Sequence, residues 1–282
     1  LSEAALRLIL DYTERLARGL GVRGLLNIQY AVRGTEVFVL EANPRASRTI
    51  PFISKATGVP LAKIATRVMM GERLADLREE GLLPAQAPDL PYTAVKEAVL
   101  PWSRFPGEDT ILGPEMRATG EVMGIGPDPG IAYAKALLGA HHRVPAKGTL
   151  FLSLADRDKP LGIEVASIFD GLGFRILSTH GTAGHLARRG ITTTHVDKVG
   201  EGPYDPVRLI ENGEIDVVIN TPRGGRARGD GRLIRIAAIR HGVPCVTTVQ
   251  GGLAVAHSLQ AGPGAVNTVV SLQDHHRTAG VR

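Results

Sequence analysis

The sequence contains only one cysteine, Cys245, among its 282 residues, so no disulfide can form within the chain. A single thiol also excludes a cysteine-based zinc knuckle. Cys245 falls in a predicted strand, which favours a small buried residue rather than a reactive thiolate. Low cysteine usage is typical of a reducing compartment, and we expect a cytoplasmic protein.

Aromatic residues and long apolar runs are also scarce. Aromatic residues make up 4% of the chain, too few for a stacking platform, and the basic residues behind the net charge of +5 are dispersed. We therefore expect no nucleic-acid partner. No apolar run approaches the roughly 20 residues that span a bilayer, so we expect no membrane partner. Small anionic ligands such as phosphates account for the positive charge more simply.

Several common site motifs are missing. The pairs His141-His142 and His275-His276 have no third ligand at zinc-protease spacing. Gly124-Ile125-Gly126 lacks the third glycine of a dinucleotide fingerprint, and no GxxxxGK[ST] phosphate loop occurs. The start at Leu1-Ser2-Glu3, without an initiator methionine or signal peptide, predicts a cut within a longer chain.

The length and the pattern of the chain predict two units, residues 1–145 and 146–282. In the first unit, helical periodicity predicts a helix over 3–17, and another helix begins at Pro60. Strands are predicted at 24–32 and 36–42 around a short loop containing Gly34. Five prolines between residues 84 and 106 predict a mostly extended connection, and a helix follows near 130–139.

In the second unit, short apolar strands alternate with helical segments, which predicts a mainly parallel, Rossmann-like α/β sheet. The predicted strands are 149–154, 173–178, 193–196, 215–220, 243–248 and 266–271. The predicted helices are 162–171, 182–189, 229–241 and 252–260.

Oxygen-bearing side chains cluster at the end of the second predicted strand. Strand alternation places Glu41 and Asn43 on one face, and Gln29 on the neighbouring strand adds a third oxygen. Such a set suits magnesium, which keeps several waters and shares substrate phosphates. Arg45 and Arg48, just beyond, suit bidentate contact with phosphate. The alternative is a surface acid followed by a solvated loop.

A second anion site is predicted where strands of the second unit end. The segment 178–183, with Thr179 and Thr182, joins a strand to a helix, where free backbone N–H groups and hydroxyls can hold a phosphate. Another strand ends at Asn220, and Lys159 and Lys198 add positive charge. The alternative is an ordinary helix start, since these residue types also cap helices.

The motifs of residues 24–74, GLLNIQYAV and VLEANPRASRTIPFISKATGVPLAKIATRVMMG, resemble the end of the second ATP-grasp unit in carbamoyl phosphate synthetase large subunits. The resemblance continues through AVKEAVLP (94–101), RFPG (104–107) and LGPEMRATGEVMGIG (112–126). It implies a partial ATP-grasp α+β subdomain in residues 1–145.

In that family, the residues matching Gln29, Glu41 and Asn43 hold Mg²⁺ or Mn²⁺ on the phosphates of ATP, which is a substrate. Those matching Arg45 and Arg48 are implied to be catalytic, steadying the phosphoryl group and the carbamate. This agrees with phosphoryl transfer, which depends on positioning and charge neutralisation. The family's glycine-rich loop over ATP is missing, so we expect this chain alone to be inactive.

Residues 146–282 are similar to the methylglyoxal-synthase-like regulatory domain of the same family. The resemblance implies that UMP-type or IMP-type nucleotides bind at Lys159, Thr179, Thr182, Lys198 and Asn220, while Pro222 departs from the family pattern. Because residues 220–226 contain no acid, we expect binding without methylglyoxal synthase catalysis.

The resemblance also extends to part of the family's ornithine site. Glu97 and Leu100 match it, whereas Cys245 and Val246 do not, so control by ornithine stays open.

The intact enzyme implied by the resemblance makes carbamoyl phosphate from bicarbonate, ammonia and two ATP for arginine and pyrimidine biosynthesis. Its expected partners are a glutaminase small subunit and the remainder of the large subunit, and we expect an oligomer. One alternative is a free-standing nucleotide-binding regulatory protein without catalysis. Another is a split enzyme whose missing parts lie on a second polypeptide.

Overall fold

The computed structural model describes residues 1–104, 109, 111, 118–221, 225–278 and 280. These residues form two compact units: one contains Leu1–Pro91 together with Val270–Arg282, and the other contains Tyr92–Val269. Among the described residues, no helix has both the length and the apolar character needed to cross a membrane.

The first unit combines a β-hairpin with short helices. Ser2 caps the first helix, because its hydroxyl accepts a hydrogen bond from the backbone N–H of Ala5. Gly58 ends the second helix in the left-handed conformation that glycine adopts without strain. The elements are α1 (Glu3–Gly19), β1 (Asn27–Arg33), β2 (Glu36–Asn43), α2 (Thr49–Thr57), α3 (Leu61–Met69), α4 (Leu74–Glu79) and, near the end of the chain, α12 (Leu272–Thr278).

The last helix packs within this first unit. The ring Nε2 of His276 on α12 lies 2.7 Å from the carbonyl oxygen of Lys55 on α2. The end of the chain therefore returns to the unit that carries the predicted metal ligands, although the sequence pattern placed it in the second domain.

A second antiparallel hairpin and a helix open the second unit. Strand β3 (Thr93–Val99) pairs with β4 (Gly120–Gly126), and α5 (Pro129–Gly139) packs on the pair. A Cβ on Gly124 would lie 2.0 Å from the backbone oxygen of Ala132, so only glycine permits this close approach. The expected extended connection over 84–106 thus contains a paired strand, and the pairing of β4 was not predicted.

The rest of the second unit is an α/β layer around a parallel sheet, as predicted. The strand order β7-β6-β5-β8-β9 places β5 in the middle, and every described pairing in this sheet is parallel. The strands are β5 (Thr149–Leu154), β6 (Arg175–Thr179), β7 (Thr194–Val196), β8 (Val217–Thr221) and β9 (Cys245–Val246). The helices are α6 (Lys159–Gly171), α7 (His180–Ala187), α8 (Pro206–Glu211), α9 (Gly225–Arg240), α10 (Val249–Gln260) and α11 (Gly262–Val266).

The predicted strand at 266–271 is wrong. Val266 ends α11, and residues 268–271 have no regular structure, with Val269 95% exposed. The run is rich in β-branched residues, but a strand also needs a neighbour to hydrogen-bond with. In the part of the chain that the structure describes, the sheet ends at β9.

Two apolar cores cover the two faces of the parallel sheet. One centres on Leu152, Val165 and Phe169, and the other on Phe151, Ile210 and Val218, all fully buried. Because Phe151 and Leu152 are adjacent on β5, strand alternation sends them to opposite faces. The polar atoms at the carboxyl ends of the strands therefore lie on a rigid, fully packed support.

The division by packing, between Pro91 and Tyr92, differs from the predicted domain boundary at 145/146. Strands β3 and β4 and helix α5 pack with the parallel-sheet unit, although the sequence pattern grouped them with residues 1–145. The boundary at 145/146 stays a prediction about the family domains rather than about packing.

Candidate functional site

The predicted metal ligands lie together on one face of the β1–β2 hairpin. Gln29 is directly opposite Glu41, and Asn43 follows two residues later on β2. Gln29 Nε2 and Asn43 Nδ2 both donate to the same carboxylate oxygen, Glu41 Oε1, at 2.7 and 2.9 Å. The register shifts at Gln29/Tyr30, where Leu40 is the extra residue of a β-bulge.

These three side chains fit a hard divalent cation. A carboxylate and two carboxamides, gathered within hydrogen-bond distance, supply the oxygen donors that Mg²⁺ or Mn²⁺ prefers. Flipping each side-chain amide would exchange the positions of its oxygen and its NH₂ group, so that the oxygen would face the cation. Gln29 and Glu41 are exposed, so solvent and a phosphate can reach them.

The predicted catalytic arginines lie in the loop between β2 and α2. Arg45 Nη1 donates to the carbonyl oxygen of Ala46 at 3.0 Å, and Arg48 occupies the position just before the first residue of α2. The hydroxyl oxygen of Ser47, between them, is buried without a hydrogen-bond partner in the structure. Both arginines therefore follow the strand that carries Glu41 and Asn43, and the side chain of Arg45 donates to the backbone of the loop instead of to Glu41.

The second predicted site is a cavity of about 1030 Å³ at the carboxyl edge of the parallel sheet. The ends of four neighbouring strands reach it through Ser153, Thr179, Val196 and Thr221. Ligands bind at this edge in open parallel sheets. The predicted Lys198 also lines the cavity.

Thr179 and Lys159 lie at the start of helix α7. Thr179 is the residue before the helix, and its side chain forms no capping hydrogen bond. Its hydroxyl lies 3.3 Å from that of Ser153. A Cβ built on Gly181 would lie 3.4 Å from Lys159 Nζ, so this ammonium group sits over the first turn of α7. An anion at this end meets both the lysine and free backbone N–H groups.

The other two predicted contacts, Thr182 and Asn220, are buried in the structure. Thr182 Oγ1 accepts a hydrogen bond from the backbone N–H of Leu154 at 3.1 Å. Asn220 Oδ1 accepts from Arg235 Nη1 at 3.4 Å. Both side chains therefore stabilise the structure next to the cavity through these hydrogen bonds, and neither belongs to its described lining.

Arg235 on α9 is almost completely buried, with its side chain 1% exposed. Its guanidinium forms a two-pronged ion pair with Asp109, with Nε–Oδ1 and Nη2–Oδ2 distances of 2.5 and 2.6 Å. Burial raises the pKa of the Asp109 carboxyl, but the hydrogen bonds from Arg235 and from the backbone of Ile111, together with the nearby charges of Arg235 and Arg232, give a net lowering. Asp109 therefore stays charged and is linked through Arg235 to the strand end at Asn220.

Several cavity residues escaped the sequence analysis. Ser153 is the last residue but one of β5, so the rule about strand ends would have found it had every strand been considered. His180 and His195 lie edge-to-face across the cavity, with ring centroids 5.8 Å apart. Asp156 and Asp230 also line it. The cavity therefore contains acids although residues 220–226 do not. The expectation that this domain binds a ligand without methylglyoxal synthase catalysis then rests on the family resemblance alone.

Glu97 and Leu100 lie on and just after β3 in the second unit. Burial raises the pKa of Glu97, although a hydrogen bond from the backbone of Ala98 acts in the opposite direction. Burial, together with the nearby charge of Glu97, raises the pKa of Tyr133 to about 12. Pro222, the departure from the family pattern, lies outside the described residues, as do 105–107 and 112–117 of the shared motifs.

Two family models match separate parts of the chain. The ATP binding domain of the carbamoyl-phosphate synthase L chain matches residues 1–77, which include all five predicted metal and catalytic residues. The MGS-like domain matches residues 162–247, which include Thr179, Thr182, Lys198 and Asn220.

Curated relatives match nearly the whole chain. A carbamoyl phosphate synthase large chain of Rubrobacter xylanophilus is 51% identical over 94% of this chain and 25% of its own length. Two proteins named carbamoyl phosphate synthase large chain, C-terminal section, from Aquifex aeolicus and Methanopyrus kandleri, are 47% and 48% identical. Those alignments cover 93% and 98% of this chain, and 51% and 52% of the relatives.

The chain thus spans about a quarter of the full-length large chains that it matches, and about half of the C-terminal sections. The order of the matched parts, ATP binding domain first and MGS-like domain second, is the order in which the two structural sites occur. The chain belongs to the carbamoyl phosphate synthase large-chain family, in which it matches about half of the C-terminal section.

Proposed function

We propose that this chain contributes the metal and phosphate end of a carbamate phosphorylation site and a nucleotide-sensing cavity to a glutamine-hydrolysing carbamoyl phosphate synthase. In the intact enzyme, a glutaminase small subunit supplies ammonia, and two ATP drive the synthesis from bicarbonate. The pathways served are arginine and pyrimidine biosynthesis, in the cytoplasm.

The convergence of Gln29 and Asn43 on Glu41 supports the phosphorylation half of the proposal. These residues would hold Mg²⁺ or Mn²⁺, which would neutralise the phosphates of ATP. Arg45 and Arg48, in the following loop, would bind the anionic oxygens of the transferred group. Phosphoryl transfer needs this positioning and charge neutralisation more than a covalent nucleophile.

The remainder of the large subunit is the partner that this half requires. The first unit exposes several large apolar side chains, including Leu10, Phe38, Leu40 and Met70. Apolar side chains exposed in this number are typical of a surface that packs against further protein. An ATP-grasp unit completed by the rest of the large subunit would cover them and supply the ATP-holding loop.

Replacing Glu41 by Gln in the intact large subunit tests this half. The change removes the only carboxylate of the predicted ligand set, so ATP synthesis from ADP and carbamoyl phosphate, which is the reverse of carbamate phosphorylation, should fall by about 100-fold or more. The bicarbonate-dependent ATPase of the first phosphorylation should be unchanged. Glu36→Gln, on the same strand and paired with exposed Arg33, is the matched control. Normal carbamate phosphorylation in the Glu41→Gln enzyme would contradict the assignment.

The cavity of the second unit carries the sensing half of the proposal. It joins the ends of four strands, the free first turn of α7, and Lys159 and Lys198, which together suit a nucleoside monophosphate. Thr182 and Asn220 hold the neighbouring backbone and α9, so a nucleotide of the UMP or IMP type would reach them only through a local rearrangement. Ornithine, at Glu97 and Leu100, is a further proposed effector.

Isothermal titration of the chain with UMP and IMP tests the sensor. We expect at least one of them to bind with a dissociation constant below 1 mM (on the order of −4 kcal/mol). Lys159→Met should weaken this binding at least about tenfold, through loss of a charged contact. Lys63→Met, an exposed lysine of the first unit, is the control. Failure of both nucleotides to bind at millimolar concentration would remove the sensor from the proposal.

A further inference from the structure

Lys159, which lies beside the cavity residue Gly181, already has an anionic partner. Lys159 Nζ lies 2.5 Å from Asp156 Oδ1, three residues earlier in the chain. The lysine side chain is only 15% exposed, whereas that of Asp156 is 94% exposed. The ammonium is therefore fixed in place, and the carboxylate is the partner that can move away into water.

Asp156 reaches the lysine from the cavity side. Asp156 and Gly181 both line the cavity, and Lys159 Nζ lies close to Gly181. The carboxylate thus occupies a position beside the first turn of α7 that an anionic ligand would also seek. Helix α7 has eight residues, and Thr179 leaves its first N–H groups without a side-chain cap.

Asp156 is charged when it competes for this position. The hydrogen bond and the charge of Lys159 hold the pKa of its carboxyl below the usual range, and nearby His185 adds to the effect. A ligand phosphate therefore meets a lysine whose charge is already balanced. The population that can bind the ligand is the fraction of molecules in which the pair is open.

We propose that Asp156 is an internal competitor that sets the affinity of the proposed nucleotide site by pairing with Lys159 when no ligand is bound. The inference rests on the proposed sensor function and describes its regulation. An incoming phosphate displaces the carboxylate, whose hydration changes little on moving into solvent because it is already exposed. The pairing raises the dissociation constant without removing any ligand contact, so half-saturation of the site needs a higher ligand concentration.

Asp156 could compete with the ligand for Lys159, or it could orient Lys159 for the ligand. The two roles predict opposite effects of one substitution on ligand affinity. If Asp156 competes, Asp156→Asn frees Lys159 and tightens binding by about 3- to 10-fold, the range expected for opening one partly exposed ion pair. If Asp156 instead orients Lys159 for the ligand, the same change weakens binding. Because the side chain is 94% exposed, the variant should unfold at the wild-type temperature.

The ligand set separates competition from direct repulsion. UMP and its 5′-methyl phosphodiester differ by about one unit of charge at pH 8, since the diester lacks the second ionisation near pH 6. A displaced competitor raises the affinity of both by the same factor. A carboxylate that stays beside the bound ligand repels the dianion more, so its removal would favour UMP over the diester.

The experiment is calorimetric titration of wild type, Asp156→Asn, Asp156→Glu, Asp158→Asn and Asp170→Asn with both compounds. Asp158→Asn tests whether any neighbouring acid acts in the same way, although Asp158 pairs with the cavity residue Arg157 and its side chain is only 14% exposed. Asp170→Asn, at an exposed position of α6 outside the cavity lining, is the control for net charge. Asp156→Glu keeps the charge and should bind like wild type. Equal tightening of both ligands in Asp156→Asn alone supports the proposal. Unchanged or weaker binding by Asp156→Asn, or equal tightening in Asp170→Asn, overturns it. No UMP binding by any variant overturns the sensor function itself.

Discussion

The predicted metal face and the nucleotide cavity differ in how much of the fold stands behind them. The metal face lies on a two-stranded hairpin whose side chains are largely exposed, including Phe38 and Leu40 on β2. The cavity lies at the edge of a five-stranded sheet, with apolar cores on both faces. The buried apolar side chains of the first unit are few and mostly small: Ala5, Ala56, Ile64, Ala65 and Leu77.

This difference indicates a division of roles. A site on a complete core can bind a ligand by itself, because the packing fixes its strand ends. A two-stranded hairpin is marginal without further packing, so the position of Glu41 depends on whatever covers the exposed apolar face. The second unit should therefore be the autonomous part of the chain, and its ion pairs should contribute more to stability than those of the first.

Arg235 gives the largest expected effect in this comparison. Arg235→Met removes the donor to Asp109 and Asn220 and leaves a partly buried carboxylate without its counter-charge. Breaking a buried ion pair from one side typically costs about 3–5 kcal/mol. The free energy of unfolding from urea titration, with hydrogen exchange of the β8 amides as a local probe, measures the loss.

The first unit offers a matched control for that experiment. Arg73 also forms a two-pronged pair, with Asp76, but its side chain is 79% exposed. Arg73→Met should leave the free energy of unfolding nearly unchanged, because an exposed ion pair is screened by solvent. The double variant Arg235→Met with Asp109→Leu should regain at least half of the loss, because no buried charge is left unpaired. Equal losses at Arg235 and Arg73 would contradict the contrast between the units.

The contact between Arg235 and Asp109 also shows what the sequence was unable to predict. The two residues are 126 positions apart, and no periodic pattern relates them. By contrast, β5 was predicted at its observed bounds, and α1 was predicted within two residues of its end, because alternation and amphipathic spacing are local. Strand β4 was missed because its partner β3 lies within the proline-rich stretch 84–106, where no strand was predicted.

The two sites follow the same rule. Gln29, Glu41 and Asn43 were predicted together because hairpin pairing is local and alternation sets the face. The cavity was predicted from two strand ends, but Asp156 was missed. Its pairing with Lys159 depends on where a short turn after β5 directs a carboxylate, and composition does not reveal that direction.

A smaller effect on the free energy of unfolding should appear at alkaline pH, where the ionisation of Tyr133 tests how tightly the second unit is packed. Burial and the charge of Glu97 raise the pKa of Tyr133 from 10.0 to about 12 in the folded second unit. Unfolding returns the hydroxyl to water, where it ionises near pH 10. Since the folded-state pKa is the higher one, the associated stability is fully present below pH 10 and is lost as the pH rises towards 12. The linked change is about 2 kcal/mol, after allowance for partial exposure.

Tyr133→Phe should remove this pH dependence, because phenylalanine cannot ionise. Urea titrations at pH 9 and 11 should show a smaller loss of unfolding free energy for the variant than for wild type, by about 1–2 kcal/mol. The phenolate absorbance near 295 nm should also lose its last titration step. Tyr204→Phe, at a residue of the same unit that is 52% exposed, is the control. If Tyr133→Phe and wild type lose stability equally, the packing around α5 is looser than the structure shows, and the claim that the second unit is the rigid half weakens with it.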